Sequence, residues 1–385
     1  MSQAPTGTPH GLLPEGLSDR LPPQAEASAR LVRRVLDAVS SHGYARVMPP
    51  MAEFEDTLVA RLKSARAQDM LRVVDPVSQR TLALRPDMTA QVGRIAATRL
   101  AAAARPLRLS YAGSVMKLRA DQLRPEREQM QVGAELIGSD SVAAAVEVVG
   151  VAIEALQAAG VTGITIDFTL PDLLDALADG PMPLPGPLRE SVRAELDSKD
   201  AGALAALGPQ GAAYLPLMEA TGTFHAAMDK LEAFDAGPGA GALASRIAAL
   251  RAIAKPIGWD ITLTLDPTER HGFEYQSWFG FSIFADGFTG EVGRGGSYAI
   301  VHDAGGAGAW DEPAMGFSLY PDPLIDAGHG GGEKRVAFLP LGHDAERAKA
   351  LRGEGWRTVA ALAEADDGTA LGCSHWLDGG ELRGF

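Results

Sequence analysis

The stretch QVGAE at residues 131–135 places polar and small residues at every second position. Side chains alternate between the two faces of a β-strand, so Gln131, Gly133 and Glu135 are predicted to share one face. Because glycine has no side chain, Gly133 is expected to leave a gap there, in which a small ligand bearing an ammonium group could contact both polar groups. A solvated strand face with an ordinary glycine bulge is the alternative explanation.

A second group of polar residues lies in LRPDMTAQ at residues 84–91. The pattern predicts a helix that opens at Arg85-Pro86-Asp87, since Pro86 suits the first helical position. A carboxylate or hydroxyl at a helix start satisfies free N–H groups and the helix dipole. From these residues alone, capping is the favoured explanation of Asp87 and Thr89.

The elements that must position these groups follow from hydrophobic periodicity. Helices are predicted at 24–42 and 141–159, and strand-like runs at 71–84, 107–111, 130–137, 164–170, 261–265, 278–285 and 314–319. Residues 171–255 change character and are interpreted as a mainly helical insertion. A strand set divided by such an insertion predicts the α+β class, with a largely antiparallel sheet and helices packed against it.

The predicted domain organisation has two parts. Residues 1–325 form a core that contains the insertion, and residues 326–385 form a small C-terminal α/β unit. That unit begins with RVAFLPLG, continues with the helix-like DAERAKALRGEGW and reaches RTVAALA, which is a βαβ-like order. A unit of this size is marginal alone.

Composition excludes several classes of function. The formal net charge of -14 lacks the positive field that nucleic-acid binding needs. Cys373 is the single cysteine, which excludes an internal disulfide framework and a multi-cysteine zinc site and implies a reducing compartment. The chain shows no signal-peptide pattern and no apolar run of about 18 residues, so we expect a cytoplasmic protein without membrane contact. No Walker, HExxH or GxSxG motif indicates a metal, a cofactor or another catalytic centre.

LRPDMT and QVGAE together resemble the core of class II histidyl-tRNA synthetases, over about residues 11–325. The LRPDMT form looks most like the non-catalytic paralogues of those enzymes, the regulatory subunits of ATP phosphoribosyltransferase. The resemblance implies that Asp87, Thr89, Gln131 and Glu135 surround bound histidine. It also matches Tyr275 to a tyrosine of the histidine-binding signature.

The same resemblance shows where the chain departs from the synthetases. Lys117 and Arg119 stand where the family has an arginine that grips the α-phosphate of ATP and a glutamate that helps to hold adenine. Lysine cannot reproduce a bidentate phosphate fork, and arginine for glutamate reverses a charge. His271 directly precedes Gly272, where the catalytic arginine belongs, and Pro323 replaces the arginine that contacts the γ-phosphate. Proline supplies no cation, and we expect it to disfavour a continuing helix. Gly293-Arg294-Gly295-Gly296 matches a glycine-rich turn of the family.

These departures imply a protein without catalytic activity of its own. By resemblance it would pair with itself and bind the short catalytic subunit of ATP phosphoribosyltransferase in a hetero-oligomer. It would respond to histidine as effector. Histidine would bind either in the inherited pocket, which corresponds to the histidine-binding pocket of the synthetases, or at the subunit contact. Two alternatives stay open: an amino-acid-activating ligase with an altered ATP site, and a free-standing amino-acid sensor that serves another partner. The C-terminal unit is too short for a full anticodon-binding domain.

Overall fold

The structure is a computed structural model that describes residues 12–59, 70–118, 125–270, 276–302, 310–330 and 335–385. The chain separates into two compact units, Met1–Gly330 and Gly331–Phe385. The domain limits and the insertion limits given above stay predictions.

The strands are β1 (Ala45–Arg46), β2 (Ala52–Phe54), β3 (Arg72–Val74), β4 (Thr81–Leu84), β5 (Leu107–Met116), β6 (Glu128–Ile137), β7 (Ile164–Thr169), β8 (Gly222–Thr223), β9 (Thr262–Leu265), β10 (Gln276–Ala285), β11 (Gly293–His302), β12 (Trp310–Leu319), β13 (Val336–Leu339), β14 (Arg357–Ala360), β15 (His375–Asp378) and β16 (Glu381–Gly384).

The helices are α1 (Gln24–Ser41), α2 (Glu55–Val59), α3 (Thr89–Thr98), α4 (Val142–Ala158), α5 (Leu173–Ala178), α6 (Gly186–Ser198), α7 (Ala201–Ala206), α8 (Pro209–Ala212), α9 (Leu215–Glu219), α10 (Phe224–Ala233), α11 (Gly241–Ala254), α12 (Asp322–Asp326) and α13 (Ala345–Gly353).

One large sheet organises the first unit, in the order β1-β5-β6-β12-β11-β10-β7-β9-β8. The pairs β1–β5 and β7–β9 are parallel, and the other neighbouring pairs are antiparallel. A separate three-stranded sheet has the order β2-β4-β3. The predicted α+β class with a largely antiparallel sheet is confirmed.

Strand β6 separates two packing layers. Val132, Ala134 and Leu136 join the large core that also contains residues of α1 and α4. Alternation turns the residues between them to the other face. On that other face, Tyr111 of β5 packs in a second core with Met88 and with Val92 of α3. The polar residues predicted to be functional therefore lie on the α3 side of the sheet.

Helix α4 forms the layer behind β6 and β12. Its N-cap Ser141 accepts a hydrogen bond from the N–H of Ala144 at 3.3 Å, and Gly160 follows the helix with a φ of +84°. A positive φ suits glycine after a helix end. The predicted helix over 141–159 is confirmed within a residue at each end.

In the chain, helices α5 to α11 and the two-residue β8 come between β7 and β9, which are parallel neighbours in the sheet. The second unit contains the predicted βαβ order as β13, α13 and the parallel strand β14. It also contains β15 and β16, which the sequence did not indicate.

Three local predictions are wrong. Helix α3 begins at Thr89, so Pro86 lies before the helix rather than at its first position. The run that starts at Gly293 is part of the ten-residue strand β11 rather than a turn. Pro323 lies in the first turn of α12 and does not prevent a helix, because the first turn needs no N–H donor from proline.

Within the described ranges, none of the helices combines the length and the apolar character needed to cross a membrane.

Candidate functional site

Gln131 connects β6 to two neighbouring elements. Its Nε2 donates hydrogen bonds to Asp87 Oδ2 at 2.7 Å and to Ser318 Oγ at 2.8 Å. Its Oε1 accepts a hydrogen bond from the N–H of Met88 at 2.9 Å. The amide therefore fixes the residues that precede α3 against β6 and β12.

Asp87 has both carboxylate oxygens engaged by the chain. Oδ2 accepts from Gln131, and Oδ1 accepts from the N–H of Thr89 at 2.6 Å. Asp87 thus satisfies the N–H of the first helical residue, although it precedes Met88, the N-cap, whose side chain forms no capping hydrogen bond. The hydroxyl of Thr89 lies elsewhere, with its Oγ1 3.4 Å from the phenolic oxygen of Tyr111.

Glu135 is only 1% exposed and lies between two tyrosines. Tyr111 donates to its Oε1 at 2.9 Å, and Tyr298 donates to its Oε2 at 2.8 Å. Burial raises the pKa of Glu135 to about 8, although the tyrosine hydrogen bonds act in the opposite direction, and Asp87 contributes a further increase. Burial also raises the pKa of Tyr111 well above its usual value.

Tyr111 fills the space beside Gly133, so the predicted gap for a ligand is wrong. The two residues are directly opposite in the β5–β6 register. A Cβ atom on Gly133 would lie 2.5 Å from the phenolic oxygen of Tyr111 and 2.6 Å from its Cζ. Glycine is needed here because a side chain of this protein, rather than a ligand, approaches the backbone.

What remains next to Glu135 is a small space, which we call the Glu135 cavity. It is lined by Thr89, Glu135, Gln276, Arg294, Tyr298 and Ser318, among other residues. Its volume of about 10 Å³ is room for roughly one water molecule. An amino acid enters only if these side chains move.

Gln276 carries a polar atom whose bonding is incomplete. Its Nε2 donates to the carbonyl of Gly295 at 2.8 Å. Its Oε1 is buried and has no hydrogen-bond partner in the part of the chain that the structure describes. Since buried oxygens are normally bonded, this amide can accept an N–H group from a bound molecule.

Arg294, which lines the Glu135 cavity, and Arg85, which precedes α3, are engaged by protein groups. Arg294 forms an ion pair with Glu291. Arg85 donates to the backbone carbonyls of Ser114 at 2.8 Å and Pro49 at 2.9 Å. Neither guanidinium is arranged as a free phosphate fork.

Of the positions that depart from the synthetase pattern, the structure describes Lys117 and Pro323. Lys117 follows β5, and its backbone N–H donates to the carbonyl of Arg127 at 2.8 Å. Pro323 lies in α12. Arg119, His271 and Tyr275 lie outside the described residues. Within the described ranges, no three His, Cys, Asp or Glu side chains are grouped as metal ligands.

The sequence indicated Asp87, Thr89, Gln131 and Glu135, and the structure brings these four together. It did not single out Tyr111, Tyr298 or Ser318, which complete the hydrogen-bond network. The sequence did contain a signal for Tyr111. This residue lies on β5, the strand that precedes β6 in the chain, and a large residue opposite a glycine suggests cross-strand packing.

Comparison with known proteins defines the class. Residues 16–324 match the family model described as Histidyl-tRNA synthetase. A solved structure described as an ATP phosphoribosyltransferase regulatory subunit/histidyl-tRNA synthetase from Bacillus halodurans superposes with a TM-score of 0.77 and 23% identity, covering 96% of this chain and 97% of the other. At this identity the likeness concerns the fold alone. The protein has a class II, histidyl-tRNA synthetase-like fold.

Curated relatives give the particular family. The chain is 43% identical to the ATP phosphoribosyltransferase regulatory subunit of Rhodospirillum centenum, over 100% of this chain and 98% of the relative. It is 42% identical to the protein of the same name from Paramagnetospirillum magneticum, over 95% and 96% of the two chains. The chain belongs to the family of ATP phosphoribosyltransferase regulatory subunits.

Proposed function

We propose that this chain is the non-catalytic regulatory subunit of a short-form ATP phosphoribosyltransferase, which acts at the first step of histidine biosynthesis. Full-length similarity to the regulatory subunits carries the proposal. The site supports it, because Arg294 and Arg85 are already bound to protein groups. Phosphoryl chemistry needs cations that are positioned on the substrate.

The effector that we assign to the site is histidine. Asp87, Glu135 and the Oε1 atom of Gln276 are acceptors, which suit a ligand with N–H donors and positive charge. Thr89 and Gln131 adjoin them, and Tyr275 is added by resemblance. Because burial raises the pKa of Glu135 to about 8, a cationic ligand that pairs with it at neutral pH must displace its proton.

The partner that we assign is the short catalytic subunit, which transfers the phosphoribosyl group in a cytoplasmic hetero-oligomer with self-associated copies of this chain. Histidine binding would favour a less active assembly. Coupling of this kind is typically about 1 to 3 kcal/mol and is reciprocal between histidine and the substrates of the catalytic subunit.

Two assays on the purified full-length chain test the proposal. The chain alone should not exchange pyrophosphate into ATP in the presence of histidine. Added to a short ATP phosphoribosyltransferase, it should raise the turnover and make the turnover sensitive to histidine. Exchange at a synthetase-like rate would favour an amino-acid-activating ligase instead. An unchanged turnover and histidine response would contradict the regulatory proposal and favour a free-standing sensor.

Calorimetry with histidine tests the site. Gln131→Ala should weaken histidine binding by roughly 1 to 3 kcal/mol, because it leaves Asp87 and Ser318 without their amide partner. Lys117→Ala is the matched control and should leave both affinity and feedback nearly unchanged. An unaltered affinity in Gln131→Ala would exclude the inherited pocket and move histidine to a subunit contact.

A further inference from the structure

Arg294 is the side chain of the Glu135 cavity that is best placed to move. Its side chain is 26% exposed, so it reaches from the cavity to solvent. Gln276 is half-buried, and its amide donates to the backbone of β11. The remaining polar side chains of the lining are buried, namely Thr89, Glu135, Tyr298 and Ser318. Because the cavity holds only about 10 Å³, an amino acid enters when a lining side chain withdraws.

The strand register places Arg294 beside Glu135 on the α3 side of the sheet. Glu135 of β6 pairs with Gly316 of β12, and Gly316 pairs with Gly296 of β11. Directly paired residues share a face, as do residues two apart on one strand, so Arg294 lies on the face of Glu135. A Cβ atom on Gly316 would contact Glu135 Oε2, and one on Gly296 would lie 2.5 Å from Cδ of Gln276. The floor between the two charged groups is therefore made of backbone.

Arg294 is held by an ion pair with Glu291, which lies two residues before β11. Glu291 itself is not among the described residues that line the cavity. Its side chain is 18% exposed, and its Oε2 accepts a hydrogen bond from Ser282 Oγ at 3.3 Å. Since both charged groups reach solvent, they separate at a lower cost than a buried pair would. Glu291 keeps Ser282 and water when Arg294 leaves it.

A free amino acid has a carboxylate as well as an ammonium group, and the cavity offers a complement to each. The acceptor atoms of Asp87, Glu135 and Gln276 suit the ammonium group and other N–H donors. Among the described lining residues, Arg294 carries the one positive charge. A guanidinium binds a carboxylate through two parallel hydrogen bonds, so Arg294 suits the carboxylate of the ligand.

We propose that Arg294 exchanges Glu291 for the α-carboxylate of the bound effector, and that competition from Glu291 limits the affinity. This inference rests on the proposed function, because it takes histidine as the ligand of the Glu135 cavity. One movement of Arg294 makes room for the ligand and supplies the charge that its carboxylate needs. A single guanidinium does not replace the several positioned cations that a triphosphate needs, so the exchange agrees with a chain that performs no phosphoryl chemistry.

Calorimetry on the full-length chain with L-histidine and with L-histidine amide tests the exchange, because the two ligands differ at the carboxyl group. Arg294→Gln should weaken histidine binding by roughly tenfold or more, since a hydrogen-bonded charge pair is lost. The dissociation constant of the amide should change less than about twofold, because the amide has no charge to lose. Arg294→Lys should recover part of the preference for histidine, since lysine keeps the charge without the two-point geometry.

Glu291→Gln should act in the opposite direction. It removes the competing carboxylate, so histidine should bind roughly threefold or more tightly, whereas the amide should not. Arg246→Gln is the matched control, because Arg246 forms an ion pair with Asp172 on the helical insertion and is similarly exposed, at 21%. It should leave both dissociation constants unchanged. Equal weakening of both ligands in Arg294→Gln and Glu291→Gln would indicate a purely structural ion pair and overturn the proposal.

Failure of this inference and failure of the proposed function give different results. If the unaltered chain binds no histidine, the assignment of the effector fails, and the exchange fails with it. If the unaltered chain binds histidine and Arg294→Gln binds both ligands as before, histidine lies elsewhere and this inference alone is overturned. Stimulation of the short phosphoribosyltransferase by the unaltered chain tests the regulatory role separately from either result.

Discussion

The Glu135 cavity and the cleft above α4, which is lined by Glu147, Gly150, Glu154 and Asp260 among other residues, differ in how far the chain itself fills them. In the cavity, Tyr111 and Tyr298 bind the carboxylate, Gln131 binds Asp87, and about 10 Å³ is left. In the cleft, about 440 Å³ stays open above α4. The motifs that the protein shares with the synthetases thus lie where the protein is most tightly packed.

This difference shows that residues at the ligand-binding positions of related proteins do not by themselves form an open ligand-binding site. Polar side chains that face one another in a buried place bond to each other when no ligand separates them, because an unbonded buried group is costly. A ligand must then compete with Tyr111, Tyr298 and Gln131 for the same atoms. The open cleft leaves more room, but its carboxylates also have partners in the chain: Glu147 is bonded to Arg108, Glu154 to His42 and Asp260 to Gln157.

The largest expected effect concerns Glu135 and pH. Its pKa is about 8 in the folded chain against 4.5 as the ordinary value, so the folded state keeps a proton that the unfolded state has lost. The free energy of unfolding should therefore fall as pH rises from about 4.5 to about 8, by up to about 1.4 kcal/mol per pH unit from this group. Glu135→Gln should remove this part of the slope in urea unfolding experiments.

Glu147→Gln is the control for that measurement. The hydrogen bond from Arg108 is foremost among the interactions that hold the pKa of Glu147 below its ordinary value. Its contribution is present above the ordinary pKa and is lost only as pH falls, so the slope between about pH 5 and pH 8 should stay that of the unaltered chain. Equal slopes in Glu135→Gln and the unaltered chain would show that Glu135 is ionised when folded.

A smaller effect is expected when the packing of Tyr111 is disturbed. Gly133→Ala places a methyl group against the phenol ring and against the carbonyl of Phe317. Overpacking of this kind costs about 1 to 3 kcal/mol, which would appear as a lower midpoint of guanidinium unfolding. If the midpoint does not change, the ring is not held beside Gly133, and the cavity is wider than the structure indicates.

The sequence located four polar residues of the site because their placement depends on local rules. Alternation along one strand puts Gln131 and Glu135 on one face whatever the neighbouring strand is. A helix start after Asp87 is likewise a local signal, although its exact residue was missed.

The partners of these residues could not be found in this way, because they depend on strand register. Tyr111 meets Gly133 only in the β5–β6 register that the structure has. Tyr298 comes from β11, whose glycines looked like a turn. Gly295 is needed within that strand, since a Cβ atom there would lie 2.5 Å from the ring of Phe281 on β10. Close packing of the sheet, rather than a reversal of the chain, explains that glycine.

The smallest expected effect has the opposite sign and concerns Gly150. Gly150→Ala should raise the free energy of unfolding by roughly 0.5 to 1 kcal/mol, because alanine is the better helix former and the added methyl group meets nothing in this chain. Thermal unfolding of the unaltered chain and of the Gly150→Ala variant gives the difference.

The sign of that difference decides between two descriptions of the cleft above α4. An increase means that the floor of the cleft is open in the single chain, in contrast to the backbone at Gly133, where the same substitution destabilises. A decrease means that another part of the chain covers Gly150, and the cleft would then be as filled as the Glu135 cavity.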